Sequence, residues 1–346
     1  MTLDRWDRAA IGASLAANGY LRRSPYRDGG RPGHREWLHF TVHGSGARLV
    51  LNASVVDDLR PAASTHRERV RVLAMVQDAG GWHGDVVDLD AADLRGGQLC
   101  LQLGALAISS RGDTISIRGA VGTIELELEL VAQTFPSLAS GVAIGEGPPI
   151  NWLVIPHLAA TGRIGIGNHI FELAGAPAYH DHNWGFFSHR DFSWQWGHDG
   201  GGGDHTVVFA RLLDGAQTTT FMQSLLVWSG PRQARVFRSD ELLVEPSGFL
   251  RPPRPFTLPR TASLLVDGLA TEVPSCLRIT ASADGDALEG AFVADTVARI
   301  VVPHDDRSET TVIHEVCGRL QLRGSLHDRD VTIAAPAMFE FLRGGT

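Results

Sequence analysis

Residues Thr123–Val131 read TIELELELV, and this segment gives the clearest strand signal in the chain. The side chains of a β-strand alternate between its two faces. The segment's apolar side chains would therefore point to a core while its glutamates point to water. In a helix the same leucines would be spread around the axis, so the pattern argues against a helix. It predicts a half-buried antiparallel strand.

Similar alternation recurs on both sides of this segment, and turn residues separate the repeats. Further strands are predicted at 35–43, 48–56, 68–77, 206–213, 218–228, 234–244, 262–266, 277–281, 291–302, 311–323 and 331–341. One convincing helix is predicted at Asp4–Asn18, with an apolar stripe formed by Trp6, Ala9, Ala10, Ala13, Leu15 and Ala17. Many strands with one helix favour sandwiches or barrels over a βαβ chain.

The length of 346 residues predicts two domains, because a single core stops growing at about 250–300 residues. Roughly sixteen strands divide naturally into two barrels of about eight. We therefore expect an all-β protein with two antiparallel barrel domains, at 1–190 and 191–346, and a short helix at 4–18. The proline-rich segment Ser247–Arg260 is either a linker or a long loop of the second barrel.

Composition excludes several classes of protein. A net charge of −8 gives no general attraction to nucleic acid or anionic membranes. Cys100, Cys276 and Cys317 are odd in number and form no CxxC pair, so neither a disulfide framework nor a thiolate zinc site is expected. No stretch approaches the ~18 apolar residues of a membrane span. We expect a soluble, cytoplasmic protein without nucleic-acid partners or stable membrane insertion.

The segment Gly175–Trp196, GAPAYHDHNWGFFSHRDFSWQW, carries the densest chemistry. As a strand it would place Tyr179, Asp181 and Asn183 on one face, and His180, His182 and Trp184 on the other. A buried carboxylic acid is kept neutral by its surroundings and can donate a proton. We therefore predict Asp181 as the catalytic acid, oriented by Tyr179 and Asn183 and supported by His182. The aromatic residues predicted to line a hydrophobic site, where indole faces tolerate positive charge, are Trp152, Trp184, Phe186, Phe187, Trp194, Trp196 and Trp228.

Other interpretations of this segment stay open. Asp181 and Asn183 could form a structural corner that satisfies backbone N–H groups, and the tryptophans could simply fill cores. His180 and His182 have the spacing of a metal-binding pair, but no glutamate follows at the spacing typical of cupins, so no metal is expected. Gly200–Gly203 predicts a hairpin loop, because a phosphate cradle would need a lysine and a following helix. We expect no organic cofactor.

The string AYHDHNWG, followed by WQWG at Trp194–Gly197, resembles the signature of the carotenoid 1,2-hydratase-like family, also called hydroxyneurosporene synthase-like or AttH-like. HEVCGRLQLRG at His314–Gly324 and the residues Ala334–Glu340 are similar to the family's closing strands. The resemblance covers most of 36–341. It implies two lipocalin-like barrels enclosing a hydrophobic cavity between or within them. Relatives add water to polyene terminal double bonds, and fungal relatives form decalins by intramolecular Diels-Alder cyclisation.

The same resemblance assigns residues. The family's acid site falls on Tyr179 and Asp181, and an aromatic position falls on Trp152. In the hydratase subgroup a histidine stands two residues before that tryptophan, and here the position is Ile150. Water would then have to be positioned by His157 or His182, and simple carotenoid hydration is disfavoured.

These observations together predict a cofactor-independent cyclase or hydratase, of isomerase or hydro-lyase type, for natural-product or isoprenoid biosynthesis. Its substrate would be a hydrophobic polyene, terpenoid or polyketide-like small molecule, activated by protonation of a C=C bond or by polarisation of a carbonyl. One alternative is a Diels-Alderase that acts by substrate orientation alone. Another is a non-catalytic carrier of a hydrophobic ligand.

Overall fold

We describe a computed structural model of the chain. It describes residues 3–18, 34–58, 67–90, 94–97, 100–143, 149–186, 192–250, 256–258, 273–303 and 310–343. Phe187 and the predicted strand at 262–266 lie outside these residues. The chain divides into two compact units, Met1–Ser188 and His189–Thr346.

The first unit contains the helix and one large antiparallel sheet. Its elements are α1 (Arg5–Asn18), β1 (His34–His43), β2 (Arg48–Asp58), β3 (Arg67–Asp78), β4 (Gly81–Asp90), β5 (Leu94–Gly97), β6 (Cys100–Leu103), β7 (Leu106–Arg111), β8 (Thr114–Val121), β9 (Ile124–Ala132), β10 (Ser137–Val142), β11 (Ile150–Ile166) and β12 (His169–Phe186). The strand order is β4-β3-β2-β1-β12-β11-β9-β8-β7-β6-β5, and β10 pairs with β11. The first strand of the unit thus pairs with the last, which curls the sheet into a nearly closed barrel.

The second unit repeats this plan. Its strands are β13 (Phe192–Asp199), β14 (His205–Asp214), β15 (Thr220–Ser229), β16 (Arg232–Arg238), β17 (Leu242–Leu250), β18 (Phe256–Leu258), β19 (Val273–Ala283), β20 (Asp286–Pro303), β21 (Thr310–Leu326) and β22 (Arg329–Arg343). Their order is β16-β15-β14-β13-β22-β21-β20-β19-β17. The short β18 lies parallel to β20, and the neighbouring strands in this order are antiparallel. The predicted all-β fold of two lipocalin-like barrels and a short N-terminal helix is confirmed.

The segment TIELELELV behaves as its pattern predicts. In β9 the residues Ile124, Leu126, Leu128 and Leu130 are buried, and the intervening glutamates are exposed. These side chains belong to a large apolar cluster that fills the first unit, and a separate cluster fills the second. Each unit therefore has a hydrophobic core of its own.

Helix α1 packs on the core of the first unit through Ile11 and Leu15, which lie one turn apart and are fully buried. The predicted apolar stripe was wrong except at Leu15. Trp6 is 69% exposed, and the alanines assigned to the stripe, Ala9, Ala10, Ala13 and Ala17, are exposed as well. The helix begins after Asp4, whose carboxylate accepts hydrogen bonds from the N–H groups of Trp6 and Asp7 as an N-cap. Among the residues that the structure covers, no helix is long and apolar enough to cross a membrane.

Two predictions about the second unit need correction. The segment 234–244 is not one strand, because β16 ends at Arg238 and a short 3₁₀ turn at Ser239–Glu241 precedes β17. Ser239 has φ 47°, and the Glu241 carboxylate accepts the Arg238 N–H at 2.9 Å, so the chain changes direction there. The first residues of the proline-rich segment are not a linker either, since β17 continues to Leu250 and pairs with β19.

Candidate functional site

The centre of the site is β12, because it is hydrogen-bonded to β1 on one side and β11 on the other. Its Tyr179, Asp181 and Asn183 share one face, as the period of the strand predicts. Residues directly opposite them on β1 are Thr41, His39 and Trp37, in that order. On β11, Val154 lies opposite Asp181 and Trp152 lies opposite Asn183. Pairing of the first and last strands thus assembles polar groups that are remote in sequence.

The Asp181 carboxylate is held by side chains of its own strand. The Tyr179 hydroxyl donates to Oδ2 and the Asn183 amide donates to Oδ1, both at 2.9 Å. The interpretation of this segment as a corner that satisfies backbone groups is wrong, since these residues lie in mid-strand and the bonds join side chains. Exposure rises from 0% at Tyr179 through 1% at Asp181 to 7% at Asn183. All three side chains of the cluster are therefore buried, and Asn183 is the most exposed of them.

His180 lies on the opposite face of β12. Its ring stacks on Phe40 at a centroid distance of 4.3 Å, and Nδ1 lies 3.0 Å from the carbonyl oxygen of His39. Burial lowers the pKa of His180 to about 3. The ring is therefore neutral at physiological pH, and Nδ1 donates its hydrogen to the carbonyl.

His182 is engaged on that same opposite face. Its Nε2 lies 2.8 Å from the Glu36 carboxylate, and both side chains are fully buried. Its Nδ1 contacts the carbonyl oxygen of Asn18, the last residue of α1. A carbonyl can only accept, so Nδ1 carries a hydrogen. With both ring nitrogens engaged, His182 offers no lone pair to a metal and does not reach Asp181. It anchors the helix.

The interior of the first unit beside His180 is tightly filled. A cavity of about 20 Å³ lies there, bordered by Leu15 of α1 and by strand residues including Phe40 and Ile115. Such a volume has room for about one water molecule. A polyene or polyketide does not fit in it.

The residues considered for positioning water occupy separate places. Ile150 is buried and pairs with Gly185 near the Asn183 end. His157 lies at an irregularity of β11, where its backbone N–H binds the Thr134 hydroxyl, and partial burial lowers its pKa. Instead, the β1 register places an imidazole, His39, directly opposite Asp181, and it is 1% exposed. The alternating pattern of β1 was visible in the sequence, but its pairing with β12 was not.

The predicted aromatic residues are divided between the two units and, within the first unit, between two strand faces. Trp152 shares the face of Asp181, whereas the Trp184 ring lies 4.6 Å from His182 on the other face. Phe186 is the last residue of β12. The remaining predicted residues, Trp194, Trp196 and Trp228, belong to the second unit.

A second buried acid, missed from the sequence, lies among those tryptophans. The indole N–H groups of Trp194 and Trp196 both donate to Oε1 of Glu340, the latter at 3.0 Å. Glu340 is also hydrogen-bonded to Glu315, directly opposite on β21. Burial raises the pKa of Glu340. Since two carboxylates cannot bond to each other without a hydrogen, the pair shares a proton.

Two ionisable residues at the end of β13, His198 and Asp199, also have shifted pKa values. The Asp199 carboxylate accepts the Val207 N–H at 3.1 Å, and burial raises the pKa of Asp199 to about 7. Burial likewise lowers the pKa of the adjacent His198 to about 4. The glycines at 200–203 form the loop of the hairpin after β13, as predicted.

Solved structures of other proteins share this architecture. An AttH-like protein from Nitrosomonas europaea is 13% identical, with a TM-score of 0.65 over 93% of this chain and 97% of its own. Kievitone hydratase from Nectria haematococca is 11% identical, with a TM-score of 0.58 over 91% and 90% of the two chains. CghA with Sch210972 is 11% identical, with a TM-score of 0.54 over 91% and 89%.

This chain shares its fold with these proteins. The AttH-like protein is of the kind that the sequence resemblance indicated, so that prediction is confirmed at the level of the fold. No protein-family model and no curated protein matches the sequence. A shared fold does not fix a reaction, so function has to be argued from the site.

Proposed function

We propose that this chain is a cofactor-independent enzyme that hydrates or cyclises a hydrophobic polyene, terpenoid or polyketide-like molecule, with Asp181 and Tyr179 as its proton-donating pair. The observation that carries the proposal is the buried hydrogen bond of 2.9 Å between the phenol and the carboxyl group. The proposal agrees with the hydratase among the structures of the same fold.

The pair can pass a proton in either direction. When Asp181 is ionised, the Tyr179 hydroxyl donates a hydrogen bond to its carboxylate, which is the arrangement seen at 2.9 Å. When Asp181 is protonated, its own O–H donates to the phenol oxygen over the same distance, and the phenol hydrogen turns toward the substrate. Asn183 stays bound to the other carboxylate oxygen and fixes the orientation of the group. Burial favours the protonated form of the acid, whereas the hydrogen bonds donated by Tyr179 and Asn183 favour the ionised form, so the group can exist in both forms.

In the proposed reaction the phenol proton passes to a carbon of the C=C bond while the Asp181 proton passes to the phenol oxygen. The π electrons form the new C–H bond, and the neighbouring carbon becomes a cation. Trp152, beside Asn183 on the same face, supports that cation through its ring. Attack by water forms a C–O bond, and the resulting oxonium loses a proton. Attack by a second C=C bond instead closes a ring and moves the cation to another carbon, which is quenched when its neighbouring carbon loses a proton. In either case the released proton returns to the Asp181 carboxylate.

His39 has the position needed to orient the water. It lies opposite Asp181 on β1 and is buried on the same face. An imidazole there can accept a hydrogen bond from water and hold the water in place as the O–C bond forms. The histidine absent at Ile150 is therefore replaced in our proposal by one from a different strand.

The proposal is tested by incubating the protein with candidate substrates in heavy water, followed by mass spectrometry. We expect deuterium at carbon, together with a gain of water if the product is hydrated. Asp181→Asn should lose about 100-fold or more in turnover, since general acid catalysis contributes about 10²–10⁴. The exposed Glu129→Gln is the matched control and should be unchanged. Rearrangement without deuterium at carbon would instead favour an orientation-only cyclase, and unchanged substrate would favour a carrier.

A further inference from the structure

Gln195 of β13 carries a buried amide oxygen in the second unit that has no hydrogen-bond donor among the described residues. Gly197 shows which face of β13 points to the core. A Cβ atom at this position would clash with the ring of Phe339, which belongs to the core cluster of the second unit. Gln195 lies two residues earlier and therefore shares that face. It is 7% exposed, and its Oε1 has no hydrogen-bond partner in the part of the chain that the structure covers. Buried amides are normally paired, so this one requires an explanation.

Arg211 of β14 lies directly opposite Gln195 in the sheet register. Directly opposite side chains of an antiparallel pair lie within reach of one another. The Arg211 guanidinium is tethered through Nε and Nη2 to the Thr220 hydroxyl, at 3.3 and 3.1 Å. No carboxylate of the described residues pairs with it, and partial burial lowers its pKa. Among the described residues, a guanidinium without a carboxylate partner thus lies opposite an amide oxygen without a donor.

An apolar wall borders this polar pair. Phe341 lies opposite Gln195 on the other neighbouring strand, β22, and belongs to the core cluster of the second unit. Its ring packs near Phe339 at a centroid distance of 6.4 Å. A molecule held by Gln195 and Arg211 would therefore place its remaining body against aromatic surface.

We propose that Gln195 and Arg211 form the polar end of a binding site for apolar hydroxycarboxylic acids. The ligand carboxylate binds the free edge of the Arg211 guanidinium, which suits the planar geometry of a carboxylate. The ligand hydroxyl donates to Gln195 Oε1 and so satisfies the buried acceptor. The apolar chain lies on Phe341. This site is built from residues of the second unit and does not depend on Asp181.

Calorimetric titration of the full chain with three probes tests the ligand class. The probes are decanoic acid with a hydroxyl on its β-carbon, plain decanoic acid and decanol. We expect the hydroxy acid to bind most tightly, decanoic acid less tightly and decanol at least about tenfold more weakly than decanoic acid, since a charge-assisted bond is lost. Equal binding of the three probes would overturn the proposal.

Variants test the two residues separately. Arg211→Gln should weaken binding of both acids by about tenfold or more and leave decanol unchanged. Gln195→Met should reduce the hydroxy acid to the affinity of decanoic acid. The exposed Arg319→Gln, in the same unit, should change nothing. Asp181→Asn should also bind all probes as the unaltered protein does, so failure of the proposed reaction is distinguishable from failure of this site.

Stability gives a readout that a purely structural glutamine would not produce. Gln195→Met removes a buried amide oxygen that has no donor among the described residues, so we expect the thermal midpoint of the ligand-free protein to rise while hydroxy-acid affinity falls. A lower midpoint would mean that Gln195 supports the fold itself, and the proposal would then be wrong. Unaltered acid binding by Arg211→Gln would contradict it independently.

Discussion

The two units place a buried carboxylic acid at equivalent positions and surround it in different ways. Asp181 lies on β12 and Glu340 on β22, and each of these is the last strand of its unit and pairs with the first. Both acids point away from the core cluster of their unit. On β12 the opposite face carries Ala178, and on β22 it carries Phe339 and Phe341, all of which belong to those clusters. The surroundings differ in where the hydrogen-bond donors come from.

Asp181 takes its donors from residues two positions away on its own strand. Glu340 takes them from Trp194 and Trp196, about 145 residues earlier, and shares a proton with Glu315. The first acid can therefore change its protonation without disturbing strand pairing. The second acid joins three strands, so it contributes chiefly to stability.

The largest expected difference is catalytic. If Asp181 performs the chemistry, Asp181→Asn lowers turnover by about 100-fold or more, whereas Glu340→Gln lowers it by less than about tenfold. Parallel turnover measurements with circular dichroism as the folding control check this. Equal losses in the two variants would break the comparison, because both acids would then serve the reaction.

The next effect concerns stability. Glu340→Leu leaves two indole N–H groups without an acceptor and Glu315 without its partner, so the free energy of unfolding should fall by about 2–5 kcal/mol. Denaturant unfolding followed by tryptophan fluorescence measures this change. Glu289→Leu, at an exposed position of the same unit, is the control and should stay within about 0.5 kcal/mol. A fall no larger than that of the control would show that Glu340 does not join the strands.

The stability of the two units should also change differently as the pH falls. In the first unit His180 has a folded pKa of about 3, below its ordinary 6.5, so its contribution to stability is lost as the pH falls from 6.5 toward 3. In the second unit the lowered pKa of His198, about 4, acts in the same sense. Asp199 opposes it, because a carboxyl with a folded pKa of about 7 gains stability as the pH falls from 7 toward 3.8.

Acid should therefore weaken the first unit before the second. At about pH 4.5 the free energy of unfolding of the first unit should have fallen by about 2–3 kcal/mol. Hydrogen exchange of the strand amides, resolved by unit, is the measurement. His180→Asn keeps an N–H donor but has no titrating ring, so it should reduce the difference between the units. Simultaneous loss of protection in both units at low pH would count against this assignment.

The smallest effects come from single donors. Tyr179→Phe and Trp196→Phe each remove one hydrogen bond to a buried acid, so each should cost about 1 kcal/mol of unfolding free energy. Tyr179→Phe should also lower turnover, whereas Trp196→Phe should not. Denaturant titration and turnover of the two purified variants check both expectations. Loss of turnover in Trp196→Phe alone would reverse the roles of the two acids.

Much of the fold and part of the site could be predicted from the sequence. The alternation of Thr123–Val131 predicted its strand, and the period of β12 correctly separated Asp181 from His182. Both predictions depend on local geometry, since successive side chains of one strand must point to opposite faces. The break at Ser239 was missed because a positive φ is uncommon for serine, so the residue type gave no sign of it.

The sequence by itself determined the all-β class and the Tyr179–Asp181–Asn183 cluster, because strand periodicity and short-range hydrogen bonding are encoded within a few residues. Only the tertiary structure decided which partners these residues meet. His39 faces Asp181 and Glu36 binds His182 through the β1–β12 pairing, and Glu340 meets its tryptophans through β13–β22. Closure of a barrel by its first and last strands brings together segments far apart in the chain, and local sequence patterns do not specify the register of that pairing.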